Sequence, residues 1–157
     1  MTESLADQIV QKINQAPALY YRLILVVAPA GAGKTAALQD VQERTGAYLV
    51  NVNLALSRQL LELTERQRTL QIPRLLEKSV SNDNEIVLLD NIEILFDISL
   101  QQDPLRLLQR LSRNKTIVAA WNGTIDEDSL IYATPAHPEY RRYSIQDVLI
   151  VSPAITT

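Results

Sequence analysis

Short apolar runs alternate along the chain with longer stretches in which apolar residues recur every three or four positions. The short runs are typical of buried strands, and the longer spacing is typical of helices with one buried face. A first helix is predicted over residues 3–15, where Leu5, Ile9 and Ile13 share a face. Strands are predicted over residues 23–27, 48–53, 86–90, 116–121 and 148–151. This alternation indicates parallel βαβ units and therefore an α/β fold.

Local signals predict where several helices begin and end. Residues 34–45 are expected to form a helix closed by Gly46, because glycine readily adopts the left-handed conformation at a helix end. Asp103 followed by Pro104 predicts the start of another helix. Aspartate caps free N–H groups there, and proline needs no N–H at the first helical position.

Two regions between the strands are harder to assign. Residues 57–80 predict a helix in two pieces, with Thr64 and Gln67 spaced as a capping box and Pro73 marking a kink or break. The proline-rich stretch 132–143 predicts irregular structure before the last strand.

The predicted architecture is a three-layer α/β fold, in which helices cover both faces of a five-stranded parallel sheet of order 5-1-4-3-2. A length of 157 residues with 46% hydrophobic residues suits one core, so residues 1–157 are interpreted as a single domain. The chain has no cysteine, which excludes disulfides, thiolate metal sites and a cysteine nucleophile. Its single histidine, His137, is interpreted as a loop residue.

Charge and hydropathy narrow the possible partners. A formal net charge of −3 does not indicate a DNA-binding surface, although a DNA contact through a partner stays open. The first residues, Met1 to Asp7, are acidic where a signal peptide would be basic. No apolar stretch approaches the roughly 18 residues of a membrane span. We therefore expect a cytoplasmic protein without a membrane partner.

A glycine-rich segment joins the first strand to the helix at residue 34. Gly31 and Gly33 allow a tight turn whose N–H groups point at phosphate oxygens, and the following helix directs its positive end to the same anion. The alternative is a glycine turn that merely caps the helix. The segment fits the phosphate-binding pattern G-x-x-x-x-G-K-[ST] except at its first position, which is alanine. The predicted nucleotide-binding residues are Ala28, Pro29, Ala30, Gly31, Ala32, Gly33, Lys34, Thr35 and Ala36.

Within this loop, Lys34 is predicted to contact the β- and γ-phosphates, and the Thr35 hydroxyl to bind Mg²⁺. Asp90 ends the third strand, at the sheet edge where such folds bind ligands, and is predicted to hold the same Mg²⁺ site. The alternative role for Asp90 is to cap the next turn. The sequence therefore predicts a site for a nucleoside triphosphate and Mg²⁺.

Hydrolysis requires a group that orients or deprotonates water, and many P-loop ATPases place a glutamate directly after the strand-three aspartate. Here that position is Asn91, and the nearest acid is Glu93. Glu93 either turns back toward the γ-phosphate or sits in a first helical turn, favoured by the helix dipole. The end of strand two offers only Asn51 and Asn53.

Two further positions are candidate catalytic residues. Asn122 ends the predicted fourth strand and is a candidate to sense the γ-phosphate or hold the water; the alternative is a turn at Asn122-Gly123. Arg141 and Arg142 precede the last strand, and one of them is a candidate arginine finger for a neighbouring subunit. The alternative is a pair of solvated surface arginines.

These residues together resemble a known family. Ala28 to Thr35, the run Leu88 to Glu93, Asn122 and Arg141-Arg142 are similar to the Walker A, Walker B, sensor 1 and arginine-finger positions of AAA+ ATPases. The sequence stops after the last predicted strand, so no C-terminal helical lid is expected. The resemblance implies ATP and Mg²⁺ as cofactors, and a ring or filament of copies.

A narrower resemblance is to the BrxF proteins, the P-loop proteins of type 3 BREX bacteriophage-defence systems. It rests on the entry to the loop at residues 21–26, on residues 53–61 after strand two, and on residues 137–142. It implies a bacterial antiviral role beside other BREX proteins. Two functions follow as hypotheses: an ATPase that assembles with copies of itself, or a nucleotide-dependent binding module with negligible hydrolysis that scaffolds defence partners.

Overall fold

The computed structural model describes residues 4–153, and a mainly parallel sheet is its central element. Five strands run parallel in the order β2-β3-β4-β1-β7, and β5 and β6 extend β4 by antiparallel pairing. The strands are β1 (Leu23–Ala28), β2 (Tyr48–Asn51), β3 (Ile86–Asp90), β4 (Thr116–Asp126), β5 (Ser129–Tyr132), β6 (Arg141–Ser144) and β7 (Leu149–Val151). The predicted α/β class with a parallel sheet is confirmed.

Helices cover both faces of this sheet. They are α1 (Leu5–Gln15), α2 (Lys34–Thr45), α3 (Val52–Leu60), α4 (Glu65–Val80) and α5 (Pro104–Leu111), with short 3₁₀ helices at Ala16–Ala18, Glu93–Phe96 and Ile98–Leu100. Alternate residues of β1 point to opposite faces, so Ile24 and Val26 pack with α1 and α2. Leu25 and Val27 pack with α3, α4 and α5. No helix among residues 4–153 is both long and apolar enough to cross a membrane.

The helix ends at Gly46, Thr64 and Asp103 follow the predicted capping chemistry, and a further cap is present at Ser4. Ser4 caps α1, which begins at Leu5; Glu3, where the predicted helix started, lies outside the described residues. Gly46 ends α2 in the left-handed conformation, with φ 74°. The capping box of Thr64 and Gln67 begins α4, as expected.

The helices after β2 differ from the prediction. β2 ends at Asn51, whose side chain caps α3, so residues 52 and 53 are helical instead of extended. The break between the two helical pieces lies at residues 61–64, between α3 and α4, and Pro73 lies inside α4. Proline has no N–H to donate to the carbonyl oxygen four residues earlier, which belongs to Thr69. The side chain of Gln102 satisfies this carbonyl instead, with Nε2 donating to it at 2.9 Å.

The second correction concerns residues 123–144, here named the arm. β4 continues through Asn122 to Asp126, and its last four residues leave the parallel sheet and pair with β5. β5 pairs in turn with β6, so part of the stretch predicted to be irregular is extended. Asn122-Gly123 is therefore not a turn. Glycine is required at position 123 because a side chain there would overlap the carbonyl oxygen of Ile131 on β5.

Candidate nucleotide site

The glycine-rich segment forms a tight loop between β1 and α2. Gly31 and Gly33 have φ values of 82° and 93°, in the left-handed region that side chains disfavour. Residues 29–33 are exposed, whereas β1 is buried throughout. The sequence folds this way because the apolar run of β1 ends at the loop, and glycine supplies the two backbone conformations that the turn needs.

The amino end of α2 is open to an anion. Its capping residue is Gly33, which has no side chain to bond the first N–H groups of the helix. Such N–H groups have no partner within a helix, and the helix dipole favours negative charge beside them. Exposed N–H groups at a glycine loop fit a phosphate group.

Lys34 occupies the base of the loop and is only 6% exposed. Its Nζ donates to the carbonyl oxygens of Ala28 and Pro29, at 2.7 Å each. Burial lowers the pKa of the ammonium, and the nearby carboxylates of Glu93 and Asp90 oppose that change. The loop therefore holds a positive charge in place, next to the open end of α2.

Thr35 and Asp90 meet across the site. The Thr35 hydroxyl donates to Asp90 Oδ2 at 2.7 Å, and Asp90 Oδ1 accepts from the backbone N–H of Asn91 at 2.9 Å. Asp90 is 8% exposed and ends β3 beside Asn51 of β2. A hydroxyl and a carboxylate in contact, next to a phosphate-binding loop, are the hard oxygen donors that suit Mg²⁺. The two residues fit a magnesium ion.

Glu93 and Asn122 form a second pair beside the first. Asn122 lies next to Ala28 in the sheet, and its Nδ2 donates to Glu93 Oε1 at 2.9 Å. Glu93 opens the 3₁₀ helix Glu93–Phe96, and its carboxylate lies on the same side as Lys34 and Asp90. Burial raises the pKa of Glu93, with Asp90 adding to the rise, while Asn122 and Lys34 oppose it.

This raised pKa predicts a dependence of stability on pH. The folded protein holds the Glu93 proton more tightly than the unfolded chain, whose carboxyl titrates near 4.5. Relative to Glu93→Gln, wild type is therefore most stable below about pH 4.5. This difference in the free energy of unfolding decreases as the pH rises through the pKa that Glu93 has in the folded protein. Urea unfolding of both proteins from about pH 4 to about pH 8 measures the difference.

Glu77→Gln, at an exposed position of α4, is the control for this measurement. A difference between wild type and Glu93→Gln that stays constant, or that grows in favour of wild type with rising pH, would contradict the buried environment of Glu93.

The position after Asp90 is structurally constrained. Asn91 has φ 53°, a conformation that asparagine tolerates better than most residues. Its carbonyl oxygen accepts from the N–H of Asn53 at 3.1 Å, and Asn51 is used to cap α3. The asparagines at the ends of β2 and β3 therefore shape the backbone here, and Glu93 is the acid facing Lys34 and Asp90.

The two arginines stand apart from this group, on β6 of the arm instead of in a loop. Arg141 Nη2 donates to the carbonyl oxygen of Gln102 at 2.9 Å, which ties it to its own chain. Arg142 is half exposed and lies 3.9 Å from Asp126 across the arm. Its guanidinium is therefore the freer of the two for a contact outside the chain.

Tyr132 was not anticipated from the sequence. It lies on β5, stacks on Phe96 with ring centroids 3.5 Å apart, and is 7% exposed. Burial raises its pKa to about 12, with the Glu93 carboxylate adding to the rise. The short apolar run from Leu130 to Tyr132 was the available signal. His137 lies in a turn, where its Nδ1 accepts from the N–H of Glu139 at 3.0 Å.

No protein-family model matches the chain, and no curated protein matches it. Among solved structures it is similar to a chain of Drosophila ORC bound to DNA, at 14% identity and a TM-score of 0.45, covering 93% of this chain and 42% of that one. It is also similar to C. elegans PCH-2, at 22% identity and a TM-score of 0.37, covering 78% of this chain and 36% of that one. The chain thus spans less than half the length of either.

Proposed function

We propose that the chain binds ATP with Mg²⁺ and hydrolyses it when copies of the chain assemble. The observation that carries this proposal is the contact between Thr35 and Asp90 at 2.7 Å beside the exposed glycine loop. Together with Lys34, this arrangement offers N–H groups, a fixed ammonium and two oxygen donors to one triphosphate. ATP is preferred over GTP because of the AAA+ resemblance and because the sequence has no guanine-reading Asn-Lys-x-Asp motif.

Each residue has a defined part in binding. N–H groups of the loop and of the first turn of α2 hold the phosphate oxygens, and Lys34 contacts the β- and γ-phosphates. Thr35 and Asp90 are the residues that would hold Mg²⁺, which neutralises charge on the phosphate oxygens when bound. Lys34 exchanges its two carbonyl partners for phosphate oxygens as the nucleotide enters.

For hydrolysis, Glu93 is the proposed base and Asn122 the residue that positions it. Glu93 accepts a proton from the attacking water, whose oxygen forms a bond to the γ-phosphorus. The bond from phosphorus to the bridging oxygen of ADP breaks at the same time. A carboxyl whose pKa is raised is better matched to accepting this proton near neutral pH than an ordinary glutamate.

We assign to Arg142 the role of completing the nucleotide site of a neighbouring copy. Its guanidinium is half exposed, and its contact with Asp126 at 3.9 Å is the kind of surface ion pair that contributes little. In a ring or filament, the arm of one copy brings this charge to the γ-phosphate of the next. A finger of this kind raises turnover by roughly 10³-fold or more.

Mixing two inactive variants tests this assignment. Lys34→Ala keeps Arg142, and Arg142→Ala keeps an intact phosphate loop, so each should release phosphate at the background rate alone. An equimolar mixture is expected to regain turnover, because a Lys34→Ala subunit supplies its arginine to an Arg142→Ala neighbour. Phosphate release at a series of protein concentrations, with ATP and Mg²⁺, is the measurement.

Arg58→Ala, on the exposed face of α3, is the matched control and should keep wild-type turnover. Turnover per subunit that does not change with wild-type concentration, or a mixture that stays inactive, contradicts completion in trans.

A second function is supported by the backbone after Asp90. Asn91 stands where many P-loop ATPases have a glutamate, and its φ of 53° suits asparagine. Saturable ATP binding without phosphate release, at any protein concentration, would favour a nucleotide-dependent binding module. For either function, a role in the cytoplasm of bacteria, in BREX defence against phage, is proposed from the sequence resemblance alone. Other BREX proteins are the partners it implies.

A further inference from the structure

Two depressions lie on either side of α5, away from the nucleotide site. One, of about 740 Å³, lies between α4 and α5, over a floor of buried apolar side chains that includes Leu76. The other, of about 410 Å³, lies between α5, Tyr21 and Tyr143. Arg110 and Arg113 line both of them. The residues that line the two depressions therefore form one continuous surface, here named the α5 face.

The α5 face concentrates positive charge in a chain whose net charge is −3. The acids among its lining residues are Asp103 and Glu77. They are outnumbered by the lining cations, which are Arg74, Arg106, Arg110, Arg113 and Lys115. Arg22 stands beside them, because its Nη2 donates to the carbonyl oxygen of Arg113 at 3.3 Å. A local excess of arginine on an acidic chain indicates a surface for an anionic partner.

The cations of the α5 face have no carboxylate partner within the described part of the chain. Among residues 4–153, the ion pairs within 4.0 Å use Arg44 and Arg142 as their cations. Asp103 is bonded elsewhere: its Oδ1 accepts from the backbone N–H of Arg106 at 3.3 Å and from the hydroxyl of Tyr143 at 3.0 Å. The guanidinium groups of the α5 face are therefore available to an anion from outside the chain.

The arginines form a row instead of a single point of charge. Arg106 and Arg110 are four residues apart on α5, and Arg113 follows just after the helix end. At about 1.5 Å per residue, this row is roughly 10 Å long. Phosphates of a stacked strand repeat about every 3.4 Å, so the row matches about three successive phosphates. Its length favours an extended polyanion over a small ion.

An exposed aromatic ring stands beside the row. Tyr20 is 66% exposed, and the guanidinium of Arg113 lies over its ring, 5.0 Å from the centroid. Tyr21, which lines the smaller depression, meets Tyr20 edge to face at 4.8 Å. Bases of a single strand stack on such rings, whereas the bases of a duplex are already stacked on one another. An acidic peptide would use the arginines but not the ring, so the combination favours a single-stranded nucleic acid.

The α5 face and Arg142 lie on opposite sides of β6. Successive side chains of a strand point to opposite faces. Arg141 and Tyr143 bond to Gln102 and Asp103, which directly precede α5, so Arg142 between them points away from α5. A contact of Arg142 with a neighbouring copy is therefore compatible with an occupied α5 face.

We propose that the α5 face binds single-stranded nucleic acid, with its arginines on the phosphates and Tyr20 stacked on a base. This binding is a function beyond nucleotide hydrolysis and does not depend on it. DNA and RNA share the chemistry that the α5 face recognises, and binding of either supports the proposal.

Fluorescence anisotropy over a series of salt concentrations tests the phosphate contacts. The probes are labelled single strands of about 20 nucleotides, one of DNA and one of RNA with the same sequence. Arg110→Ala should bind about 10-fold more weakly at about 50 mM salt, and its plot of log affinity against log salt should be less steep by about 0.7, the value for one lost phosphate contact. Arg58→Ala, on the exposed face of α3, is the matched control and should behave as wild type.

Tyr20 provides an independent readout. Tyr20→Ala should weaken binding about 10-fold with the salt dependence unchanged, because stacking releases no counterions. Tyr20→Phe keeps the ring and should bind as wild type does.

A wild-type chain that binds neither strand at about 50 mM salt overturns the proposal, and so does tighter binding of a duplex of the same length. Polyglutamate is the matched polyanion. If it binds as tightly as the oligonucleotides and loses affinity in Arg110→Ala, the α5 face is a site for an acidic protein and the proposal fails. Phosphate release with ATP and Mg²⁺ reports separately on the proposed function, since Arg110 lies outside the nucleotide site.

Discussion

Replacing Lys34 by alanine is expected to weaken ATP binding about 100-fold, because hydrogen bonds to charged groups contribute roughly 1.5–3 kcal/mol each. Lys34 is 6% exposed, and its ammonium is held by the carbonyl oxygens of Ala28 and Pro29. On binding, it exchanges these two carbonyl partners for phosphate oxygens. Titration with a fluorescent ATP analogue, followed by displacement with unlabelled ATP, measures the loss.

Adenosine is the control ligand for this measurement, because it has no phosphate for Lys34 to contact. Its affinity should be the same for wild type and Lys34→Ala. Equal affinity of both proteins for ATP would show that the loop does not hold the phosphates, and the proposed function would then fail with it.

Replacing Gly123 by alanine is expected to lower the free energy of unfolding by about 2–3 kcal/mol, the upper part of the range for overpacking a close contact. A Cβ at this position would overlap the carbonyl oxygen of Ile131 and lie 2.9 Å from Trp121 Nε1. That same carbonyl accepts a hydrogen bond from Trp121 Nε1 at 3.2 Å. The methyl group must therefore push β5 away from β4. Urea unfolding measures the change.

Gly46→Ala provides the comparison, because Gly46 faces open space but has φ 74°. Its cost should be about 1–2 kcal/mol, the cost of the left-handed conformation alone. If Gly123→Ala destabilised the protein less than Gly46→Ala, the close approach of β5 to Gly123 would be wrong.

The parallel sheet could be predicted from the sequence because local patterns mark each of its strands. β1 and β3 are continuous apolar runs, and each ends at a residue of the site. The segment from Gly31 to Thr35 has the spacing of a phosphate-binding loop, and it lies between a predicted strand and a predicted helix. Its position in the fold could therefore be predicted from the sequence. Capping signals at Thr64 and Asp103 placed two helix starts for the same reason, since a cap depends on neighbours a few residues away.

The remaining differences depend on partners distant in sequence. Pro73 stays inside α4 because Gln102 bonds the carbonyl that proline leaves free, a contact across 33 residues. Asn122-Gly123 has the composition of a turn, yet pairing of Asn122 with β1 and of Gly123 with β5 keeps it extended. Whether Glu93 faced the site depended on Asn122, which lies 29 residues away. Local patterns carry no information about any of these contacts.

The chain contains one tryptophan, and its position has a practical consequence. Trp121 is fully buried, directly precedes Asn122, and meets the rings of Phe96, Tyr132 and Tyr143 edge to face at 5.1, 6.1 and 6.0 Å. An indole responds in its fluorescence to the packing and polarity around it. The protein therefore contains its own optical reporter where the nucleotide site meets the arm, and movement between them is observable in the unlabelled wild-type chain.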